Sequence, residues 1–171
     1  MTDFRHQAAG TTPEERFRAL FARHYPAVFR YAGRRLGREE AADAAAEAFT
    51  VAWRKIAHVP PEPETLPWLY GVARRVVANA ERGRRRRERL AARAAGDTVA
   101  AADDVDPAGV LSALAGLHPG DREVLRLAAW EGLDPGEMGL VLGCSPNAAT
   151  IRLHRARRRL QEAMDDTEGE P

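Results

Sequence analysis

Apolar residues near the end of the chain recur with a helical period. Ala149, Leu153, Ala156 and Leu160 stand at i, i+4, i+7 and i+11, which at about 100° per residue draws one stripe along one side of a helix. The opposite side carries Asn147, Ile151, His154 and Arg158, flanked by Thr150 and Arg155. Ser145 can cap the free N–H groups of a first turn and Pro146 suits the position just inside it, so a helix is predicted to begin at Pro146. Upstream, "DPGEMGLVLGCS" is a short segment with Met138, Val141 and Leu142 on its apolar side, closed by Gly143, a residue that tolerates a left-handed turn. A short helix, a glycine-containing turn and a second helix with polar side chains at its start form a helix-turn-helix pattern, in which the second helix reads the DNA major groove. The alternative reading of this stretch alone is a basic, solvated helix in an αα-hairpin.

The same period organises the N-terminal half. Phe17, Leu20, Phe21, His24, Val28, Tyr31 and Ala32 fall near one helical face, with a reset expected at Pro26. After Gly37, Ala45, Phe49, Ala52, Trp53 and Ile56 form an apolar stripe, while Asp43, Glu47, Thr50 and Arg54 form the opposite, polar one. "HVPPEPETLP" holds four prolines and reads as an extended loop. A third helix, from near Pro67, turns Trp68, Leu69, Val72, Val76 and Ala80 toward a core and runs into "RGRRRRERLAARA". Two more helices are predicted around Val110, Leu111 and Leu114 and around Val124, Leu125, Leu127 and Ala128. With no convincing strand, heptad or repeat, the pattern predicts an all-α fold. Its two small helical domains are joined by "AGDTVAAADDVDPAG", a flexible acidic linker poor in large apolar residues.

Charge sharpens this picture because its mean conceals its distribution. The formal net charge of the 171-residue chain is only +1. From Arg74 to Arg93, however, nine arginines face only Glu81 and Glu88, a local excess suited to nucleic acid. Beyond Gly83 the competing expectation is a disordered basic tail. Cys144 is the only cysteine, which excludes an intrachain disulfide and a cysteine-based zinc site and fits a reducing, cytoplasmic setting. The five histidines lack metal-ligand spacing, and no phosphate loop, dinucleotide fingerprint or HExxH motif is present. Ser145 lacks the second glycine of a nucleophile elbow, and the acid pairs Asp103–Asp104 and Asp165–Asp166 lie in linker-like segments unable to hold catalytic geometry. No cofactor, metal, catalytic residue or membrane-spanning segment is therefore expected.

In their order and spacing these motifs resemble the extracytoplasmic-function (ECF) group of bacterial RNA polymerase sigma factors, within the sigma-70 family, from roughly residue 14 to residue 163. "EEAADAAAEAFTVAWRK" is similar to the group's core-binding stretch, with Asp43, Glu47, Phe49 and Trp53 in place. "PWLYGVARRVVANAERGRRRR" resembles the segment that reads the minus-ten element, and "LAGLHPGDREVLRLAAWEGLDPGEMGLVLGCSPNAATIRLHRARRRL" the domain that reads the minus-thirty-five element. Ala44, Ala45 and Ala46 depart from the larger apolar residues and following glutamine usual in the family. Arg75 and Asn79 stand where Asn and Asp are common, so the promoter sequence does not carry over.

The resemblance implies a disordered N-terminus over 1–13, a region 2-like domain over 14–95, a linker over 96–107, a region 4-like helix-turn-helix domain over 108–164 and an acidic tail over 165–171. It implies a promoter-specificity subunit without enzymatic activity, with core RNA polymerase, promoter DNA and an anti-sigma factor as partners. Asp43, Glu47, Thr50 and Arg54 would dock on the clamp-helix coiled coil of the largest polymerase subunit. The loop from His58 to Leu66 and the helix start beyond it would hold the melted non-template strand, with Arg74, Arg75, Asn79 and Arg82 on phosphates and bases. Trp68 is either a stacking platform or, by its place on the apolar stripe, a core residue. Asn147, Thr150 and Ile151 would reach base edges beside His154, while Arg155 and Arg158 hold phosphates. The competing classes are a free-standing operator-binding regulator, which needs a dimer surface, and a protein-interaction module that uses no DNA.

Overall fold

The computed structural model describes residues 12–95 and 110–168, and its regular elements are all helical. Helix α1 spans Pro13–Leu36. It opens on a capping box: the Thr12 hydroxyl accepts from the Glu15 N–H at 3.2 Å and the Glu15 carboxylate accepts from the Thr12 N–H at 2.9 Å. The chain is thus ordered from Thr12, inside the stretch expected to be disordered; residues 1–11 lie outside the described residues. Pro26 does not reset the helix. Its ring is exposed, and the buried face formed by Leu20, His24, Val28 and Tyr31 continues past it, so packing on both sides outweighs the lost backbone bond.

Gly37 alone separates α1 from α2, Arg38–Arg54, and the two helices pack on one another through small residues. Ala41, Ala44, Ala45, Ala48 and Ala52 are all buried, with Phe49 the one large side chain among them. Trp53, expected on the buried stripe, is 40% exposed. It sits at the stripe's edge, one residue beyond Ala52, and meets Phe17 edge-on at 5.2 Å. A 3-10 turn, Ile56–His58, leads into the proline loop.

Helix α3 spans Thr65–Ala95, two residues earlier at its start than expected. Pro67 is accommodated because its missing N–H falls among those that a first helical turn leaves free. Leu69, Val72 and Val76 are buried as predicted, joined by Tyr70, Ala73 and Val77. The Tyr70 ring stacks on Tyr31 at 5.1 Å. Trp68 is half-buried, and the arginine-rich stretch is helical rather than a tail.

Contacts divide the chain within α3, between Arg82 and Gly83. The acidic linker expected over 96–107 lies outside the described residues. The second unit holds α4 (Val110–Gly116), α5 (Pro119–Ala129), α6 (Pro135–Leu142) and α7 (Pro146–Glu168), with α7 packed on the other three. Its core is Ala113, Val124, Leu125, Leu127, Leu133, Met138, Val141, Ala149 and Ala156. The Arg122 guanidinium donates to the Ala115 and Leu117 carbonyls at 2.6 and 3.0 Å, fastening the end of α4 to α5. Helix α7 continues to Glu168, so the start of the acidic tail is helical, and the Gln161 amide donates to Asp165 at 2.8 Å.

Candidate nucleic-acid interface

The α6–turn–α7 segment is locked by local chemistry at each end. Asp134 and Glu137 form a capping box at the start of α6, both bonds at 2.9 Å. The motif D-P-x-E was available in the sequence as the signal for this start. Gly143 ends α6 at φ 68°, the left-handed conformation that favours glycine. Ser145 then accepts from the Ala148 N–H at 3.2 Å, as its position before Pro146 predicts. Gly139 matters by closeness: a Cβ there would lie 2.7 Å from the Cys144 carbonyl oxygen, so only a bare backbone lets α6 approach the turn.

With Ala149 and Ala156 buried and Leu153 and Leu160 half-buried, the outer side of α7 is fixed. Asn147, Thr150, Ile151, His154, Arg155 and Arg158 are all exposed and share that side at i, i+3, i+4, i+7, i+8 and i+11. The Thr150 hydroxyl donates to the Pro146 carbonyl at 3.0 Å and is engaged within the helix. Arg158 meets Glu162 at 3.3 Å, an exposed pair of small energetic weight. Arg159, 52% exposed, pairs with Asp121 at 2.5 Å and links α7 to α5.

In the first unit, Arg75, Asn79 and Arg82 are exposed at i, i+4 and i+7 on α3, with Arg74 half-buried at their flank. The Arg82 guanidinium donates to the Asn79 side-chain oxygen, so these two share one position. On α2, Asp43, Glu47, Thr50 and Arg54 are exposed on one side at i, i+4, i+7 and i+11. The Thr50 hydroxyl donates to the Ala46 carbonyl at 2.9 Å. Beside this face, an open aromatic groove is lined by Phe17, Phe21 and Trp53. Ala44 and Ala45 are buried and Ala46 is exposed, so two of the three departures from the family pattern are core positions.

The loop between α2 and α3 is held by contacts that the sequence did not indicate, and periodicity places His24 only on the apolar face of α1. The Arg16 guanidinium donates to the Val59 carbonyl at 2.6 Å. His24, only 5% exposed, bonds through Nε2 to the Glu62 carboxylate at 2.8 Å, and Arg23 reaches the same carboxylate oxygen at 3.4 Å. The Thr65 hydroxyl donates across the loop to the Pro60 carbonyl at 2.8 Å. Partners 38 and 43 residues apart leave no local signature, which is why periodicity alone missed them.

Residues 20–88 match the family description "Sigma-70 region 2" and residues 109–160 match "Sigma-70, region 4", together more than half of the chain. The chain belongs to the sigma-70 family. The RNA polymerase sigma factor CarQ of Myxococcus xanthus is 34% identical over 161 residues, covering 91% of this sigma factor and 92% of CarQ. Among solved structures, CnrH in complex with the cytosolic domain of CnrY matches with a TM-score of 0.62 at 28% identity, over 88% of each chain. RpoE of Bartonella quintana, solved with the anti-sigma factor NepR, shares the fold with a TM-score of 0.62 at 22% identity, over 87% of this chain and 96% of that one. The ECF resemblance is borne out, and this sigma factor is a promoter-specificity subunit of RNA polymerase. Among the described residues no helix is long and apolar enough to cross a membrane.

Proposed function

We propose that this sigma factor works through three side-chain faces, two for DNA and one for polymerase. Helix α7 enters the major groove of the minus-thirty-five element, with Asn147, Thr150 and Ile151 at base edges, and Arg155 and Arg158 on phosphates. Helix α3 and the loop before it receive the minus-ten element, with Arg74, Arg75, Asn79 and Arg82 along the strand and the loop from His58 to Leu66 around its melted bases. The acid-bearing face of α2 docks on the clamp-helix coiled coil of the largest polymerase subunit. The domain limits follow these tasks: 14–95 for polymerase and the minus-ten element, 96–107 as spacer, 108–164 for the minus-thirty-five element. Phosphoryl transfer belongs to the polymerase, and this chain supplies recognition and strand separation in the cytoplasm. An anti-sigma factor is the inhibitory partner, as NepR and CnrY accompany the structural relatives.

The observation that carries this reading is the exposure of all six predicted residues along one side of α7, behind a locked turn. Transcript production from a selected promoter tests it, using purified protein with and without core polymerase. Transcript is expected only when both are present, and the double variant Asp43→Arg/Glu47→Arg is expected to lose most of it together with core association. Tight binding to a two-fold operator without polymerase, or normal core association by the double variant, would overturn it.

A further inference from the structure

His24 is a titratable side chain buried in the first unit, and none of the three faces uses it. Among the described residues its polar partner is Glu62, in the loop between α2 and α3, at 2.8 Å. Glu62 itself is 42% exposed, and it is approached from solvent by Arg23, which is 70% exposed. One carboxylate is therefore held by a buried imidazole on one side and by an exposed surface cation on the other. The same loop is pinned at its entrance by Arg16 on the Val59 carbonyl and closed at its exit by Thr65 on the Pro60 carbonyl. Three of these four ties, those of Arg16, Arg23 and His24, come from α1, which carries none of the predicted DNA contacts.

A loop that must accept an unstacked base gains from being shaped beforehand, because ordering it on binding would subtract from affinity. The hydrogen bonds from α1 do this at backbone and carboxylate groups and leave the outer surface of the loop clear. We propose that His24 is a positioning residue for promoter opening: through Glu62 it fixes the loop from Val59 to Glu64 in the shape that receives the single-stranded minus-ten element. This rests on the reading of the loop as the strand-receiving segment.

The test uses the full chain assembled with core polymerase and a single-stranded non-template oligonucleotide spanning the minus-ten element. His24→Ala and Glu62→Ala are each expected to weaken oligonucleotide binding about tenfold, the scale of a lost charge-assisted hydrogen bond. Core association is expected to stay within about twofold, in keeping with local loosening of a loop. The double variant is expected to bind no worse than Glu62→Ala alone, because that variant already removes the carboxylate to which His24 bonds. His24→Gln, which keeps a side-chain donor, is expected to recover part of the affinity. Glu62 lies in an exposed loop, so its variant reports even where His24→Ala impairs folding. Binding within twofold of the parent by Glu62→Ala, or additive losses in the double variant, would overturn the proposal. A photo-crosslinker at Pro61 separates the two levels: no crosslink to the non-template strand in the parent defeats the strand-receiving role of the loop. A crosslink that is present and unchanged in yield and position in the Glu62→Ala variant defeats the role of His24 alone.

Discussion

At the scale of single residues, the turn before α7 depends on what is missing from one position. Gly139 faces the Cys144 carbonyl so closely that a methyl group would stand 2.7 Å from it, against backbone that the Gly143 and Ser145 geometry already fixes. Gly139→Ala is expected to destabilise the second unit by about 1–3 kcal/mol, the usual range for an overfilled site. Gly116→Ala, where nothing lies within 4 Å, is expected to be neutral or slightly stabilising. The calorimetric midpoints of the two variants check the pair, and equal midpoints would show that the turn relaxes around the methyl. The sequence offered Gly143 as a turn residue by its place after an apolar segment. It could not offer Gly139, because the close approach belongs to the folded turn and not to any pattern of neighbours.

At the scale of elements, α7 separates its tasks along its length. Asn147, Thr150 and Ile151 lie in the first turns, next to the cap, while Arg155 and Arg158 stand farther along the same side. Arg155→Ala is expected to weaken promoter binding by a similar factor whatever the sequence, and Asn147→Ala to change the ranking of minus-thirty-five variants by about 1–3 kcal/mol at one base position. Binding of the holoenzyme to a panel of promoters checks this, and uniform loss in both variants would contradict the division. Helix starts were legible where capping chemistry is local, as at Ser145 and Pro146. They were misread where it is not: α3 begins at Thr65 because its first turn tolerates Pro67 and Thr65 bonds back to Pro60. Pro26 misled in the opposite sense, since a proline predicts a break only if the faces on either side do not share one core. Trp53 shows the limit of a stripe, whose edge residues are buried or bare according to how far the neighbouring helix reaches.

At the scale of the whole molecule, the near-neutral formal charge of +1 hides arginine faces on helices of both units. Promoter binding by the holoenzyme is therefore expected to fall steeply with salt, with a slope of about −0.9 in log–log form for each phosphate neutralised. Arg155→Ala is expected to make that slope shallower by about one phosphate contact. A salt series on one promoter measures it, and an unchanged slope would take Arg155 off the phosphate backbone. That the chain holds two helical units was legible from its separate apolar periods, but the contact division falls inside α3, between Arg82 and Gly83, where the helix does not break. The ties between α1 and the loop after α2 were not legible, because they join groups that only the folded chain brings together.

The alanine seam between α1 and α2 has a consequence for how this sequence can change. Ala41, Ala44, Ala45, Ala48 and Ala52 are already close to the smallest side chains available, and all are buried. Drift at these positions has almost nowhere to go, since any gain in volume wedges the two helices apart and glycine would loosen α2. In a library randomised across the seam, survivors should be confined to alanine, serine and an occasional glycine, while the polar side of the same helix accepts far more. A helix that carries a docking face would thus evolve on one side only, free to adjust its partner contacts while the geometry beneath them stays fixed.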